Sequence, residues 1–286
     1  MAEQAAPPED VEITRDLVSG TGGGRDLHLH LVRPKGIAPG TRLPAVMYIH
    51  GGFWMGGTRD RGLDFLPALA RRGYVGATIE YRLSQEAIFP AQIEDCKTAV
   101  RFLRAHADEH GIDPQHIGVW GGSAGGHLAA LMGTSGSLAA LEGAGGWAEQ
   151  SSSVQAVVDA YGPTDLLQAN ADYSGPRGTD GNIALPDQPE SPESRLVGGP
   201  VQEHKDLANL ANPITHIKAG CPPFLIIHGT ADALVHYRQS ELLHAALQRA
   251  GVESELLMYP EKGHMHLDED GLAKVYAFFD KHLKPS

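Results

Sequence analysis

The chain has 286 residues, of which 42% are hydrophobic and 20% charged. These proportions are ordinary for a globular protein, and the length suits one large domain with a sizeable core. The formal net charge of −12 argues against nucleic acid and against an anionic membrane as partner, because both bind basic surfaces. The two cysteines, Cys96 and Cys221, imply no disulfide framework.

The first ten residues contain neither a basic start nor an apolar run, so they predict no signal peptide. No stretch of the sequence has the length of apolar residues that spans a bilayer. The default expectation is therefore a cytoplasmic protein without stable membrane association, unless an export signal has been removed. A monomer and a homodimer are equally compatible with the sequence.

Short apolar runs alternate with longer amphipathic segments, a pattern typical of a mostly parallel sheet. In chain order the predicted elements are a hairpin of residues 11–17 and 26–33, a strand at 45–50, a helix at 62–72, a strand at 74–81, a helix at 90–106, a strand at 116–120, a helix at 125–132, strands at 154–160 and 223–228, a helix at 236–250, a strand at 253–259 and a helix at 268–282. The predicted fold class is α/β, with helices on both faces of the sheet.

Residues 170–200 interrupt this alternation, since they are rich in Pro, Gly, Asp and Ser and contain few apolar side chains. A loop of that length inside a compact domain is usually functional. With residues 207–212 beyond it, we predict a small cap or lid insertion at about 165–215, over the carboxyl edge of the sheet. The chain is then a single domain, 1–286. The alternative is a surface excursion that never touches substrate.

The motif Gly-x-Ser-x-Gly occurs at residues 121–125, between the strand at 116–120 and the helix that follows it. That context is typical of a nucleophile elbow, in which a sharp turn projects the serine hydroxyl. Gly121 and Gly125 are expected because side chains would clash where strand and helix pack closely. Ser123 is therefore the predicted nucleophile. A phosphate-binding loop is the alternative, but the lysine of such loops is absent.

A His-Gly-Gly-Phe motif, which begins at His50, directly follows the first predicted parallel strand. Backbone N–H groups reach a developing oxyanion only where side chains do not obstruct the approach, and glycine permits this. Gly52 and Phe53 are the predicted donors, with Gly51 adjacent and Ala124 contributing the N–H that follows the serine. We interpret His50 as a residue that holds this loop by a hydrogen bond.

The acid and the base of such a site follow the serine in the order Asp or Glu, then His. Asp232 lies just beyond the predicted strand at 223–228, and His264 follows a glycine beyond the strand at 253–259. We predict that Asp232 orients His264 and that His264 takes the proton of Ser123. The mechanism requires no metal and no cofactor.

The chain contains 15 histidines, so chance alignment has to be weighed. His266, two residues beyond His264, is the main competitor for the base. Asp268 is an alternative acid, but its position at the start of a predicted helix is typical of an N-cap. Asp159 and Asp165 flank the end of another strand, and we interpret both as cap or loop residues.

Together these motifs resemble the hormone-sensitive-lipase-like esterases of the α/β-hydrolase superfamily. More narrowly, the chain is similar to the bacterial feruloyl and acetyl esterases labelled BD-FAE. The resemblance covers nearly the whole chain and rests on residues 50–57, Tyr81-Arg82-Leu83, Ile112-Asp113-Pro114, residues 121–126, residues 228–232, Gly263-His264 and, within the insertion, residues 191–200 and 211–214.

The resemblance implies an α/β-hydrolase fold and a serine esterase that acts on short acyl, aryl or hydroxycinnamoyl esters, acylated sugars among them. One departure is that Phe53-Trp54 stands where the broader family has a third glycine, which leaves the exact oxyanion donors open. That pattern also resembles kynurenine formamidases. An amidase or peptidase is therefore the second reading, because the same acyl-enzyme serves esters and amides. A catalytically silent binding protein is the third, and the presence of all three predicted catalytic residues argues against it.

Overall fold

The computed structural model describes residues 9–136, 138–264 and 267–284. Within these residues one sheet contains eight strands: β1 (Val11–Gly22), β2 (Arg25–Pro34), β3 (Leu43–Ile49), β4 (Val75–Ile79), β5 (Ile112–Gly122), β6 (Ala156–Ala160), β7 (Phe224–Gly229) and β8 (Ser254–Tyr259). The α-helices are α1 (Leu66–Arg71), α2 (Ala91–Ala105), α3 (Ala107–His110), α4 (Ala124–Thr134), α5 (Leu166–Ala169), α6 (Pro192–Val197), α7 (Lys205–Ala211), α8 (Arg238–Arg249) and α9 (Glu269–Leu283).

Short 3-10 helices lie between these elements, at Arg59–Asp64, Ala139–Leu141, Asn170–Asp172, Val201–Glu203 and Pro213–His216. The strand order in the sheet is β1-β2-β4-β3-β5-β6-β7-β8. β1 pairs antiparallel with β2, and β2 antiparallel with β4, whereas every later neighbour is parallel. The predicted hairpin and the mostly parallel sheet are both confirmed.

Each face of the sheet is covered by helices, because the parallel strands are apolar on both faces. Val119 of β5 belongs to a cluster that includes Leu128 of α4, together with side chains of α2 and α8. The next residue, Trp120, points to the other face and joins Phe279 of α9 and side chains of α1. The prediction of helices on both faces is therefore confirmed.

One predicted helix differs in its first half. The stretch predicted as a helix over 62–72 is a 3-10 helix at Arg59–Asp64 followed by the shorter α1. The hydroxyl of Thr78 in β4 donates a 2.6 Å hydrogen bond to the carbonyl of Arg59, which competes with the helical hydrogen bonds of that turn. Gly62 packs directly on Thr78, since a Cβ at Gly62 would lie 2.3 Å from its Oγ1.

The segment predicted as a cap, 165–215, contains α5, α6, α7, two of the 3-10 helices and most of a third, Pro213–His216. Its interior holds a buried ion pair, in which the Arg177 guanidinium donates two hydrogen bonds, of 2.8 and 2.7 Å, to the Glu193 carboxylate. The loops that follow β3, β5, β6, β7 and β8 all leave from the carboxyl ends of parallel strands, and they meet at one edge of the sheet. The predicted site residues lie at that edge.

Candidate active site

Ser123 lies in a sharp turn between β5 and α4. Its backbone has φ 58° and ψ −125°, a conformation that a residue with a side chain seldom adopts. The turn is secured by a 2.8 Å hydrogen bond from the N–H of Ser123 to the carbonyl of Ala160 at the end of β6. The strand–turn–helix context predicted from the motif is therefore present.

The glycines on either side of Ser123 are required by close backbone packing. A Cβ at Gly121 would lie 2.1 Å from the carbonyl oxygen of Gly125, and a Cβ at Gly125 would lie 2.1 Å from that of Ile49 in β3. No side chain fits at such distances, so the steric reason predicted for both glycines is confirmed.

The loop after β3 approaches the serine from the neighbouring strand. A Cβ at Gly51 would lie 2.7 Å from the carbonyl oxygen of Gly122 and 3.2 Å from the Cβ of Ser123, so only glycine permits this approach. Gly52 and Phe53 both have positive φ, 118° and 56°, which turns the chain tightly at this point. Within the described residues, the N–H groups of Gly52, Phe53 and Ala124 have no backbone acceptor. They are therefore available to a ligand.

His50 holds this loop, as predicted. Its ring stacks on Tyr81 at 4.3 Å, and its Nδ1 lies 2.8 Å from the carbonyl oxygen of Gly51. A carbonyl only accepts, so Nδ1 carries the proton and donates it. Burial lowers the pKa of His50, which keeps the ring neutral. The Tyr81 hydroxyl donates a 3.0 Å hydrogen bond to the carbonyl of His50 and fixes the base of the loop.

A second buried histidine, His127 in α4, links the loop to the rest of the molecule, and the sequence analysis did not single it out. The indole N–H of Trp54 donates to His127 Nδ1 at 3.2 Å. Nε2 must then carry the proton, and it donates to the carbonyl of Ala211 at 2.7 Å. Complete burial lowers the pKa of His127 to about 4, so the ring is neutral at pH 7. Only the position four residues after Ser123 could have drawn attention to it.

Asp232 lies in the loop after β7, and its buried carboxylate has donors on both oxygens. Oδ1 accepts from the N–H groups of Leu234 and Val235 at 2.8 and 3.0 Å. Oδ2 lies 2.7 Å from His264 Nδ1 and 3.2 Å from His228 Nε2. Burial alone would raise the pKa of this carboxyl, but the hydrogen bonds from the two histidines outweigh it and lower the pKa well below the usual range.

His264 therefore contacts the acid that the sequence analysis paired with it. Its ring also meets the Tyr161 ring edge to face, with 4.7 Å between centroids. His264 and Ser123 line the same cavity, but within the described residues no hydrogen bond joins them. Hydrogen bonds of this kind are often formed only in the complex with substrate.

The structure assigns other positions to the residues that were weighed as alternative acids, and it does not describe the alternative base. His266 lies outside the described residues. Asp268 is the N-cap of α9, where it accepts a 3.0 Å hydrogen bond from the N–H of Gly271, as predicted. Asp165 caps α5 in the same way. The interpretation of Asp159 as a cap or loop residue is wrong, because Asp159 is a fully buried residue inside β6.

The cavity in front of Ser123 has a volume of about 760 Å³. Its lining includes Tyr48, Phe65 and Trp120 on one side, and charged residues of the 59–64 turn at its rim. Of the described residues in the insertion 165–215, none lines this cavity. The insertion instead supports two lining residues from behind. Arg177 lies 5.9 Å from the centroid of the Phe53 ring, and its Nε donates to the carbonyl of Leu234 at 2.7 Å.

Within the ranges that the structure describes, no three His, Cys, Asp or Glu side chains are grouped so that they could hold a metal ion. None of the helices in those ranges has the length and apolar character to cross a bilayer.

The chain is similar in sequence to proteins that are named esterases. The BD-FAE family model matches residues 31–247. Esterase LipQ of Mycobacterium tuberculosis is 32% identical over 263 residues, which are 92% of this chain and 58% of LipQ. Probable carboxylic ester hydrolase LipM of the same organism is 32% identical over 223 residues, 76% of this chain and 48% of LipM. The chain thus spans about half the length of the curated relatives it matches.

Solved structures show the same fold. A truncated form of a carbohydrate esterase from gut microbiota superposes with a TM-score of 0.85 at 29% identity, over 96% of this chain and 98% of that one. The propionate-bound esterase Est2 of Thermogutta terrifontis gives a TM-score of 0.73 at 29% identity, over 96% and 94% of the two chains. The eight-stranded sheet, the serine turn and these matches agree, and the chain belongs to the BD-FAE family of the α/β-hydrolase superfamily.

Proposed function

We propose that this protein is a serine carboxylesterase in which Ser123 is the nucleophile, His264 the general base and Asp232 the acid that orients it. The observation that carries the proposal is the 2.7 Å contact between Asp232 and His264, in a cavity that also contains the strained Ser123. The ionised carboxylate accepts from Nδ1–H of His264 and leaves Nε2 of the ring as the basic atom. Its low pKa suits that task.

The proposed reaction proceeds in two acyl transfers. His264 accepts the proton of the Ser123 hydroxyl while the oxygen attacks the ester carbonyl. The oxyanion is stabilised by N–H groups of Gly52, Phe53 and Ala124, with Gly51 allowing the loop to approach closely. His264 then gives its proton to the departing alcohol, and an acyl-serine is left. A water molecule, deprotonated by the same imidazole, attacks this ester and releases the acid and the serine.

The substrates that we propose are esters of short acyl, aryl or hydroxycinnamoyl acids, acylated sugars included. Support comes from two proteins of similar structure, one a carbohydrate esterase and the other an esterase with bound propionate. The aromatic side chains of the cavity suit an apolar or aromatic group. We further propose that the insertion 165–215, within a single domain, acts as a support for the cavity wall, since it contacts Phe53 and Leu234 through Arg177.

The test compares the wild type with Ser123→Ala on p-nitrophenyl acetate and on the matching anilide. We expect the wild type to hydrolyse the ester much faster than the anilide, and Ser123→Ala to lose about 10⁴-fold or more in kcat. Ser153→Ala is a matched control, because Ser153 precedes β6 at the opposite edge of the sheet and its hydroxyl donates to the carbonyl of Gly136, far from the cavity lining.

A fluorophosphonate probe adds a readout independent of turnover, since it should modify Ser123 alone. Retained ester hydrolysis in purified Ser123→Ala would overturn the assignment of the nucleophile. Faster cleavage of the anilide, or of N-formylkynurenine, would make the protein an amidase that uses the same residues.

A further inference from the structure

Tyr161 follows β6 directly and has an unusual backbone. Its φ is 48°, in the left-handed region that a bulky residue seldom enters. A 2.7 Å hydrogen bond from its N–H to the carbonyl of Ile227 in β7 holds it there. Strained residues of this kind persist where the surrounding structure imposes them, and they cluster at functional sites. The conformation fixes the direction of the Tyr161 ring.

The ring of Tyr161 lies beside both ends of the proposed proton-transfer path. It meets the His264 ring edge to face, with centroids 4.7 Å apart. A Cβ added to Gly122 would lie 2.8 Å from the Tyr161 Oη, so the hydroxyl rests against the residue that precedes Ser123. This contact explains why the variable position of the Gly-x-Ser-x-Gly motif is itself glycine here.

Tyr161 is half-buried and lines the cavity with Ser123 and His264, and no hydrogen bond joins its hydroxyl to another described residue. Two other tyrosines differ in this respect, since the buried Tyr81 donates to the carbonyl of His50 and the half-buried Tyr173 to that of Leu234. Burial raises the pKa of Tyr161 to about 12, so its hydroxyl stays protonated at neutral pH and remains a donor.

The strand order decides which part of an ester would meet this hydroxyl. Ser123 follows β5, the oxyanion loop follows β3 on one side of β5, and Tyr161 follows β6 on the other side. His264, which gives its proton to the departing alcohol in the proposed mechanism, also lies on the Tyr161 side. The alcohol part of the substrate is therefore expected there, opposite the carbonyl oxygen.

We propose that Tyr161 is a specificity-determining residue whose hydroxyl donates a hydrogen bond to an oxygen atom in the alcohol part of the substrate, one or two carbons from the scissile ester. The inference rests on the proposed esterase function. An alcohol that carries such an acceptor satisfies the hydroxyl, whereas a simple alkyl alcohol leaves it without a partner in a partly desolvated site. Selection of this kind follows from unpaired polar groups rather than from size.

The experiment uses two substrates of equal size, 2-hydroxyethyl acetate and propyl acetate, which differ only by a hydroxyl in place of a methyl group. The ratio of their kcat/KM values is measured for the wild type and for Tyr161→Phe. We expect the ratio to favour 2-hydroxyethyl acetate in the wild type and to fall about tenfold in the variant, the size of one net hydrogen bond. Propyl acetate and p-nitrophenyl acetate should change by less than twofold.

Tyr276→Phe is the matched control and should leave the ratio unchanged, because Tyr276 lies in α9 beside Arg72 and does not line the cavity. The melting temperature of Tyr161→Phe should also stay close to that of the wild type, because the hydroxyl bonds to no described residue. A ratio that does not change overturns the inference. An equal loss on all three esters, or a clear loss of thermal stability, also overturns it, since Tyr161 would then orient His264 or hold the fold. A wild type inactive on every ester and unlabelled by fluorophosphonate would instead refute the esterase function itself.

Discussion

Two aspartates at the ends of neighbouring parallel strands show how strongly partners decide what a buried carboxyl does. Asp159 is in β6 and Asp232 follows β7, and their side chains are almost equally buried. Asp232 is surrounded by donors, because two backbone N–H groups reach one oxygen and two histidines the other. Its pKa is lowered despite burial.

Among the residues that the structure describes, Asp159 has a single hydrogen-bond donor. Its Oδ1 accepts a 2.9 Å hydrogen bond from the N–H of Gly162, and its Oδ2 has no partner. Backbone packs closely around its Oδ1, since a Cβ at Gly126 or Gly162 would lie 2.4 or 2.5 Å from that oxygen. Burial raises the pKa of this carboxyl to about 6.

The difference teaches that burial does not by itself make a carboxyl acidic or neutral. A buried carboxylate stays ionised when hydrogen bonds replace its lost hydration. When they do not, its pKa rises and the protonated form is favoured. An ionised acid can stabilise a charged imidazole during proton transfer, whereas a protonated one cannot. Asp232 therefore suits the proposed catalytic role, and Asp159 does not.

The largest expected effect is on activity in Asp232→Asn. The amide keeps the shape but donates toward His264, which favours the wrong tautomer, so kcat should fall about 10³- to 10⁴-fold. Hydrolysis of p-nitrophenyl acetate measures this, with circular dichroism to show that the fold is intact. Asp159→Asn is the matched control and should stay within about threefold of the wild type. A larger loss in Asp159→Asn than in Asp232→Asn would reverse the comparison.

The next prediction concerns His228 and His264, which both contact Asp232 and should differ in whether their loss affects stability or activity. His228 is fully buried, with Nδ1 2.7 Å from the hydroxyl of Ser240 and Nε2 2.9 Å from the carbonyl of Val235. His228→Asn cannot reach these partners and should cost about 3 kcal/mol of unfolding free energy, measured by urea denaturation. Its kcat should fall by only about tenfold.

His264→Asn should behave in the opposite way. Because His264 is the proposed base, this variant should lose activity by several orders of magnitude. The His264 side chain is 20% exposed, so the free energy of unfolding should change by less than about 1 kcal/mol. Equal activity losses in the two variants would mean that His228 takes part in proton transfer directly.

A smaller effect comes from the pH dependence of stability. The unfolded Asp159 carboxyl titrates near 3.8 and the folded one near 6, so the folded state holds a proton that the unfolded state has lost between these values. Stability therefore falls as pH rises through this window. Asn does not titrate, so the unfolding free energy of Asp159→Asn relative to wild type should rise by about 1–2 kcal/mol from pH 5 to pH 8. A pH-independent difference would show that Asp159 is ionised throughout.

The smallest effect is expected at Asp165, a third aspartate that comes shortly after β6. Its side chain accepts from the N–H groups of Leu167 and Gln168 and caps α5. Asp165→Ala should lower the unfolding free energy by about 1 kcal/mol, without a change in kcat. Thermal unfolding and ester turnover measure the two quantities. An activity loss here would give Asp165 a part in the site that its capping contacts do not explain.

Much of the fold was predictable, because the order and type of most elements depend on local patterns. The apolar runs of the parallel strands, the glycines around Ser123 and the N-caps at Asp165 and Asp268 are all legible within a few residues of sequence. The helix predicted at 62–72 differs because Thr78, from the next strand, bonds to the carbonyl of Arg59.

The candidate site was predictable in part. Ser123, Asp232 and His264 follow from a motif and from the positions of strand ends, and their catalytic roles are predictions that the variants above test. The contacts of His127, Tyr161 and Arg177 were not foreseen, because each joins segments that are far apart in the chain.

What the sequence determined by itself is the parallel sheet with its two helical layers, the turn that carries Ser123, and membership of the BD-FAE family. Periodicity and short motifs are enough for these, since they depend on neighbours in the chain. Only the tertiary structure decided which aspartate is ionised and which hydroxyl faces the cavity without a described partner. It also decided that the insertion packs behind the cavity-lining residues Phe53 and Leu234 and does not line the cavity itself. These properties depend on distances between residues of different strands, and hydrogen-bond partners across such distances cannot be read from spacing along the chain.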